Sequence, residues 1–337
     1  MTTVGELAVA DVRGELLPLP ELMARWDLGR WVSAERLPGG KNEHVRVVTD
    51  RGVFFLRRSY RSKSLAALER QLGLLTWLRR QGLPVPEPVP TAESRPVATV
   101  AGRLYVVTRA LPGSPYDPTR RAHTREAGRV LARYHELVAS LPPAEPDTDR
   151  PELLTALHAR LDRIDEAAAP DLVRHARAVL IELADRWPEL PRCLIHGGSR
   201  RGSVLFEGDR LSGLLDFDSA RPDVRVLDLA TAVHDFGKVY STLGAADHKV
   251  PLDLDRIAVF LSAYAEVRPV TSVEAEALPA LLAAKRLQRA LGRAARHAAG
   301  LPLSSNDLAK IEMERARLDW LARHRDALAA DVVSAVG

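Results

Sequence analysis

The stretch from Cys193 to Asp228 constrains this chain more than any other. Cys193-Leu194-Ile195 is a short apolar run, and His196-Gly197-Gly198 breaks it. Val204-Leu205-Phe206 resumes it, Glu207-Gly208-Asp209 signals a turn, and an apolar return runs from Leu211 to Phe217. The spacing predicts strand, loop, strand, turn, strand. The last strand is expected to end on Asp216-Phe217-Asp218, projecting two carboxylates at its tip, a place suited to a divalent cation with phosphate oxygens.

The rest of the chain divides by pattern. Residues 1–30 read as a helical lead-in broken at Pro18 and Pro20. Strand pattern begins at Trp31, passes Pro38-Gly39-Gly40, and continues as an antiparallel hairpin around Asp50-Arg51-Gly52. Ser64 to Arg80 has Leu65, Leu68, Leu72, Leu75 and Leu78 on one helical face. Pro84, Pro86, Pro88 and Pro90 force extended backbone. Two further strands, Pro96 to Val100 and Leu104 to Thr108, lead to Leu111-Pro112-Gly113. Thereafter helices are expected over Arg120 to Ser140, Pro151 to Trp187 and Val226 to Tyr240. Residues 252–337 read as helical with breaks near 267–271 and 299–305.

At 337 residues the chain is long enough for two domains. The expected boundaries are 1–113, an N-terminal lobe, and 114–337, a helical lobe holding the loop segment 193–218. Net charge is +4, and only six of 48 basic residues are lysines. There is no basic run interleaved with aromatics, so nucleic acid is not an expected partner. A single cysteine rules out an internal disulfide, and Cys193 reads as a small buried hydrophobe. No signal-peptide pattern and no bilayer-length apolar run is found, which gives the expectation of a cytoplasmic protein without membrane partners.

The loop segment resembles the aminoglycoside phosphotransferase, choline kinase and type II homoserine kinase-like families, whose core reads H-G-D-x-x-x-x-N followed by D-x-D. Here His196, Gly197, Asp216, Phe217 and Asp218 match. The order of elements resembles the homoserine kinase-like branch along nearly the whole chain. The fold this implies is α+β: a two-lobed, protein-kinase-like fold with a small antiparallel-sheet N-lobe and a large helical C-lobe.

The same resemblance marks departures. Gly198 stands where the family has its catalytic aspartate, and Ser203 where it has a metal-binding asparagine. Glycine can neither accept a proton nor orient a hydroxyl; serine lacks the amide oxygen and is expected to touch a metal only weakly. Asp216 remains as a metal anchor. Gly39 and Gly40 resemble a phosphate-approaching turn, and Arg57 matches the strand cation that reaches phosphates. Its helix partner falls on Gln71 rather than a glutamate; Glu69 lies about 200° around the helix. Glu43 stands where relatives often carry asparagine and, facing phosphates, would repel them. Arg200 and Arg201 read equally as anion ligands and as a solvated loop. His196 is the rival catalyst, though supporting the loop backbone is its favoured role. Asp228 is expected to tie the loop to a helix.

Three functions stay open at this stage. The first is a pseudokinase-type protein that has lost phosphoryl transfer and binds a small-molecule, peptide or protein partner in its cleft. The second is a repurposed enzyme performing elimination, cyclisation or rearrangement on a metabolite or modified peptide, in antibiotic or peptide natural-product metabolism. The third is an ATP- or GTP-dependent small-molecule kinase with an unusual base. Magnesium and nucleotide are the cofactors the resemblance implies, each weakened by Gly198, Ser203 and Gln71.

Overall fold

The computed structural model describes residues 17–38, 42–59, 64–142, 151–164, 166, 169–238, 252–298, 300 and 304–336. The chain separates into two compact units. One comprises residues up to Ser114 with Ser212–Leu215, and the other Pro115–Leu211 with the chain from Asp216 onward.

In the first unit, strands β1 (Trp31–Arg36), β2 (Glu43–Thr49), β3 (Gly52–Arg58), β4 (Pro88–Val89), β5 (Ala98–Val100) and β6 (Arg103–Arg109) form one antiparallel sheet. Its order is β1-β2-β3-β6-β4, with β5 also on β6. The β2–β3 hairpin closes through Asp50-Arg51, with Thr49 opposite Gly52. Alternate residues Val45, Val47, Phe54 and Leu56 are buried on one face. Leu19 and Leu22 of the short helix α1 (Leu19–Arg25), Trp26 and Trp31 share that core. Helix α2 (Leu65–Arg80) starts at Ser64, whose side chain accepts from the Ala67 N–H at 3.2 Å, and buries Leu68, Leu72, Leu75 and Leu78.

The second unit is mainly helical. After the two-residue strand β7 (Ser114–Pro115) come α3 (Arg121–Val138), α4 (Leu153–Leu161) and α5 (Pro170–Ala184). The expected single helix over Pro151 to Trp187 is therefore two, because Pro170 begins a helix and cannot continue one. Strands β8 (Arg192–Ile195), β9 (Val204–Glu207), β10 (Arg210–Leu214, whose residues from Ser212 belong to the first unit) and β11 (Arg221–Val224) follow, then α6 (Val226–Phe236), α7 (Leu254–Ala265), α8 (Ser272–Ala298), α9 (Ser305–Arg323) and α10 (Arg325–Val336). Helix α6 is buried along almost its whole length. Helices α3 and α7 approach so closely that a Cβ on Gly128 would lie 2.4 Å from the Phe260 carbonyl oxygen. Much of the expected lead-in, residues 1–16, lies outside the described residues, as do Gly39, Gly40 and Tyr240.

Candidate functional site

Antiparallel pairing of β8 with β11, Ile195 opposite Arg221, launches the His196 loop and the Asp216 turn from one ladder. At the root of the loop sits Asp228, fully buried on the first turn of α6. Its carboxylate accepts from the His196 N–H at 2.6 Å and the Gly197 N–H at 2.7 Å. His135 Nε2 lies 3.2 Å away, and the Tyr264 hydroxyl is 2.8 Å from His135 Nδ1. Burial pushes the Asp228 carboxyl up. The His135 hydrogen bond, the neighbouring histidines and the Gly197 amide outweigh it and hold the group below the usual aspartate range. Burial also pulls His135 down, so neutral imidazole donates from Nε2 and accepts from Tyr264 at Nδ1. Asp228 thus ties loop to helix, as expected.

His196 is equally committed. The Gly198 N–H points at its Nδ1 at 3.2 Å, so that nitrogen carries no proton. Its fully buried ring packs edge-on against Phe217 at 4.5 Å and Tyr134 at 6.1 Å. Gly197 has φ +72°, and a Cβ there would come 2.2 Å from the Ser219 carbonyl oxygen. Only glycine fits.

The outer part of the loop is built differently. A Cβ on Gly198 would meet nothing closer than 3.5 Å: the Asp216 carbonyl oxygen at 3.5 Å, His196 Nδ1 at 3.6 Å and Arg200 Nη2 at 3.7 Å. The position has space for a side chain and none in it. Ser203, expected to touch a metal weakly, instead turns into the loop. Its buried Oγ lies 2.9 Å from the Gly198 carbonyl and 2.8 Å from the Arg200 carbonyl, and accepts the Arg200 N–H at 2.9 Å. One hydroxyl closes the whole turn.

The two arginines part company. Arg201 is buried: its N–H donates to Asp235 at 2.9 Å, its guanidinium lies 3.7 Å from the same carboxylate, and it stacks over Tyr116. Its burial excludes the solvated-loop alternative. The Arg200 side chain is 42% exposed, with Nη2 3.9 Å from the Asp216 carboxylate, itself 48% exposed.

Strand β10 ends at Leu214, so the Asp-Phe-Asp step is not the strand tip expected. Asp216 adopts the left-handed conformation (φ 62°, ψ 56°), which aspartate tolerates better than most side chains, and opens a 3₁₀ turn over Phe217–Ser219. Phe217 is buried against His196, while the Asp218 residue is half-buried.

In the first unit, Glu43 does not face outward to meet phosphate. Strand alternation places it with Val45 and Val47 on the covered face, opposite Arg58 and out of phase with Arg57. The carboxylate is almost fully buried, 3.0 Å from Arg58 and 3.3 Å from Arg36. Tyr105 shares the cluster; burial pushes its hydroxyl up against the opposing pull of Arg58. Arg57 and Gln71 are half-buried on β3 and α2, whereas Glu69 is exposed.

These features have counterparts among known proteins. The family described as "Phosphotransferase enzyme family" matches residues 33–270. This chain belongs to it. Homoserine kinase of Methylobacillus flagellatus is 29% identical over 272 residues, 78% of this chain and 80% of that protein. Homoserine kinase of Acidiphilium cryptum is 29% identical over 266 residues, covering 78% and 81%. Among solved structures, the amicoumacin kinase hAmiN aligns with a TM-score of 0.70 at 14% identity, over 89% of this chain and 91% of that one. A choline/ethanolamine kinase family protein from Mesorhizobium loti aligns at 0.63 with 20% identity, over 90% and 92%. The phosphotransferase fold is thus kinase-like, an antiparallel-sheet N-terminal region followed by a helical C-terminal region.

Phosphotransferase chemistry in this fold implies magnesium, and the donor set does not fit it. Ser203 spends its hydroxyl on the loop, Gly198 offers no side-chain oxygen, and a guanidinium stands beside Asp216. Among the described residues no group of three His, Cys, Asp or Glu side chains is placed to hold a metal ion. Burial pushes the Cys193 thiol up to about 12, which disfavours its thiolate. Sequence reasoning missed Arg58, Tyr134 and His135 as site-supporting residues. The signal available was Tyr134-His135 on the buried face of an amphipathic helix. No helix among the described residues is long and apolar enough to cross a membrane.

Proposed function

We propose that this phosphotransferase-family protein is of the pseudokinase type: it keeps the loop scaffold and has lost ordinary phosphoryl transfer. The observation that supports this reading is the pairing of Gly198 with Ser203. Where an acid–base carboxylate would be needed there is only space, and where a metal ligand would be needed a hydroxyl is bonded inward. Phosphoryl transfer works through positioning and charge neutralisation, and both positions are withdrawn from that task. The ligand is a small molecule or peptide held by the remaining groups, or a protein partner.

The test is phosphoryl transfer from ATP or GTP to homoserine, the substrate named for the sequence relatives, together with nucleotide hydrolysis. Wild type is expected at background, and Gly198→Asp, alone or with Ser203→Asn, is expected to gain turnover. Magnesium-dependent turnover by wild type that disappears in Asp216→Ala would overturn the reading.

A second reading has one observation in its favour: Arg200 and Asp216 remain adjacent and solvent-accessible. Such a pair supports different chemistry on a metabolite or modified peptide. It predicts a nucleotide-independent activity abolished by either Arg200→Ala or Asp216→Ala.

A further inference from the structure

Gly198, Ser203 and Asp216 all meet one residue, Arg200. Its backbone is pinned by Ser203 alone: the Arg200 N–H donates to Ser203 Oγ at 2.9 Å, and the Arg200 carbonyl accepts from that hydroxyl at 2.8 Å and from the Ser203 N–H at 2.9 Å. The next residue is anchored too. The Arg201 N–H donates to Asp235 at 2.9 Å, and the Arg201 guanidinium lies 3.7 Å from the same carboxylate. Arg200 thus leaves a fixed backbone, and its guanidinium goes to a different carboxylate, with Nη2 3.9 Å from Asp216 Oδ2. Glycine at 198 leaves it room. A Cβ there would already touch Arg200 Nη2 at 3.7 Å, so a longer side chain and this guanidinium would compete for one space.

We propose that Arg200 is a resident cation that keeps divalent metal ions off Asp216, with Gly198 making room for its guanidinium and Ser203 fixing its backbone, so that the three residues work as one unit. This deepens the function proposed above and rests on it. The exclusion is electrostatic. With both groups partly exposed at 3.9 Å, the ion pair is weak in itself. Its effect is to place a positive charge beside the carboxylate that a metal ion must reach. Repulsion between a single and a double positive charge at such range, even in water-like surroundings, weakens metal binding about tenfold or more. A guanidinium does not shed its proton, so a change of pH does not lift the block. A ligand at the crown of the loop meets five N–H donors beside a carboxylate acceptor, a pair that bonds polar groups without a bridging metal.

The full chain is titrated with manganese(II), followed by the electron paramagnetic resonance of the free ion. Wild type is compared with Arg200→Gln, with Arg200→Lys, and with Arg200→Gln combined with Asp216→Asn. Both side chains are partly exposed, so none of these variants removes core packing. Arg200→Gln should bind manganese about tenfold or more tightly than wild type. Arg200→Lys keeps the charge and should bind as wild type does, and adding Asp216→Asn to Arg200→Gln should abolish the gain. The inference is overturned if Arg200→Gln binds no more tightly than wild type, if Arg200→Lys gains as much as Arg200→Gln, or if the gain persists with Asp216→Asn. Any of these without homoserine turnover sinks the exclusion alone, whereas magnesium-dependent turnover by wild type sinks the proposed function.

Discussion

The root and the crown of one loop obey different rules. At the root, Asp228, His196 and Gly197 are buried, the Asp228 carboxylate accepts two backbone amides at 2.6 and 2.7 Å, and no other residue fits at 197. At the crown, a few residues away, Gly198 leaves room, Ser203 replaces an outward ligand with an inward bond, and Arg200 faces Asp216 in partial solvent. The root is fixed by short bonds to buried groups, whereas the crown has open space at 198 and an inward-bonded hydroxyl at 203. Buried carboxylates in this protein are held by two means: Asp228 largely by amides and neutral imidazole, Glu43 by two guanidinium groups.

The sharpest way to break this contrast is a pair of neighbouring glycines. Gly197→Ala forces a Cβ into the Ser219 carbonyl from a left-handed backbone and should cost about 3 kcal/mol or more. Gly198→Ala, with nothing inside 3.5 Å, should stay within about 1 kcal/mol. Denaturant unfolding of both variants decides; equal losses would erase the distinction.

Next come the two aspartates. Asp228→Asn leaves two amide donors and His135 without a carboxylate and should cost roughly 3 kcal/mol. Asp216→Asn, half exposed, should shift stability by less than about 0.5 kcal/mol. Between these two, Ser203→Ala strips the Gly198 and Arg200 backbone groups of their partner and should cost about 1–2 kcal/mol.

The last prediction concerns pH. Burial holds His135 and His234 below the ordinary value of 6.5, so the unfolded chain binds protons that the folded one refuses. Their contribution is complete above pH 6.5 and declines as pH falls from there, by about 1.4 kcal/mol per histidine per unit. Stability measured from pH 7 to pH 5 should fall, and His234→Gln should flatten part of the slope.

Much of the fold was legible because its signals are local. The leucine ladder of α2, the Asp50-Arg51-Gly52 hairpin turn and the apolar runs around the loop each specify an element without reference to the rest. Glu43 was misread although its phase was available: it shares the parity of Val45 and Val47, and that parity sets its face. The turn at Asp216 was not legible, since a left-handed aspartate has the same sequence as a strand end. Nor could the inward bond of Ser203 be read, because it depends on two carbonyls brought together by the turn.

We propose that the loop keeps its scaffold and does not support magnesium-dependent chemistry. Calorimetric titration of ATP and of GTP, each with and without magnesium, tests it most directly. Magnesium is expected to add nothing to the affinity of either nucleotide, and Asp216→Ala to change neither titration. Magnesium-dependent nucleotide binding that vanishes in Asp216→Ala would contradict it.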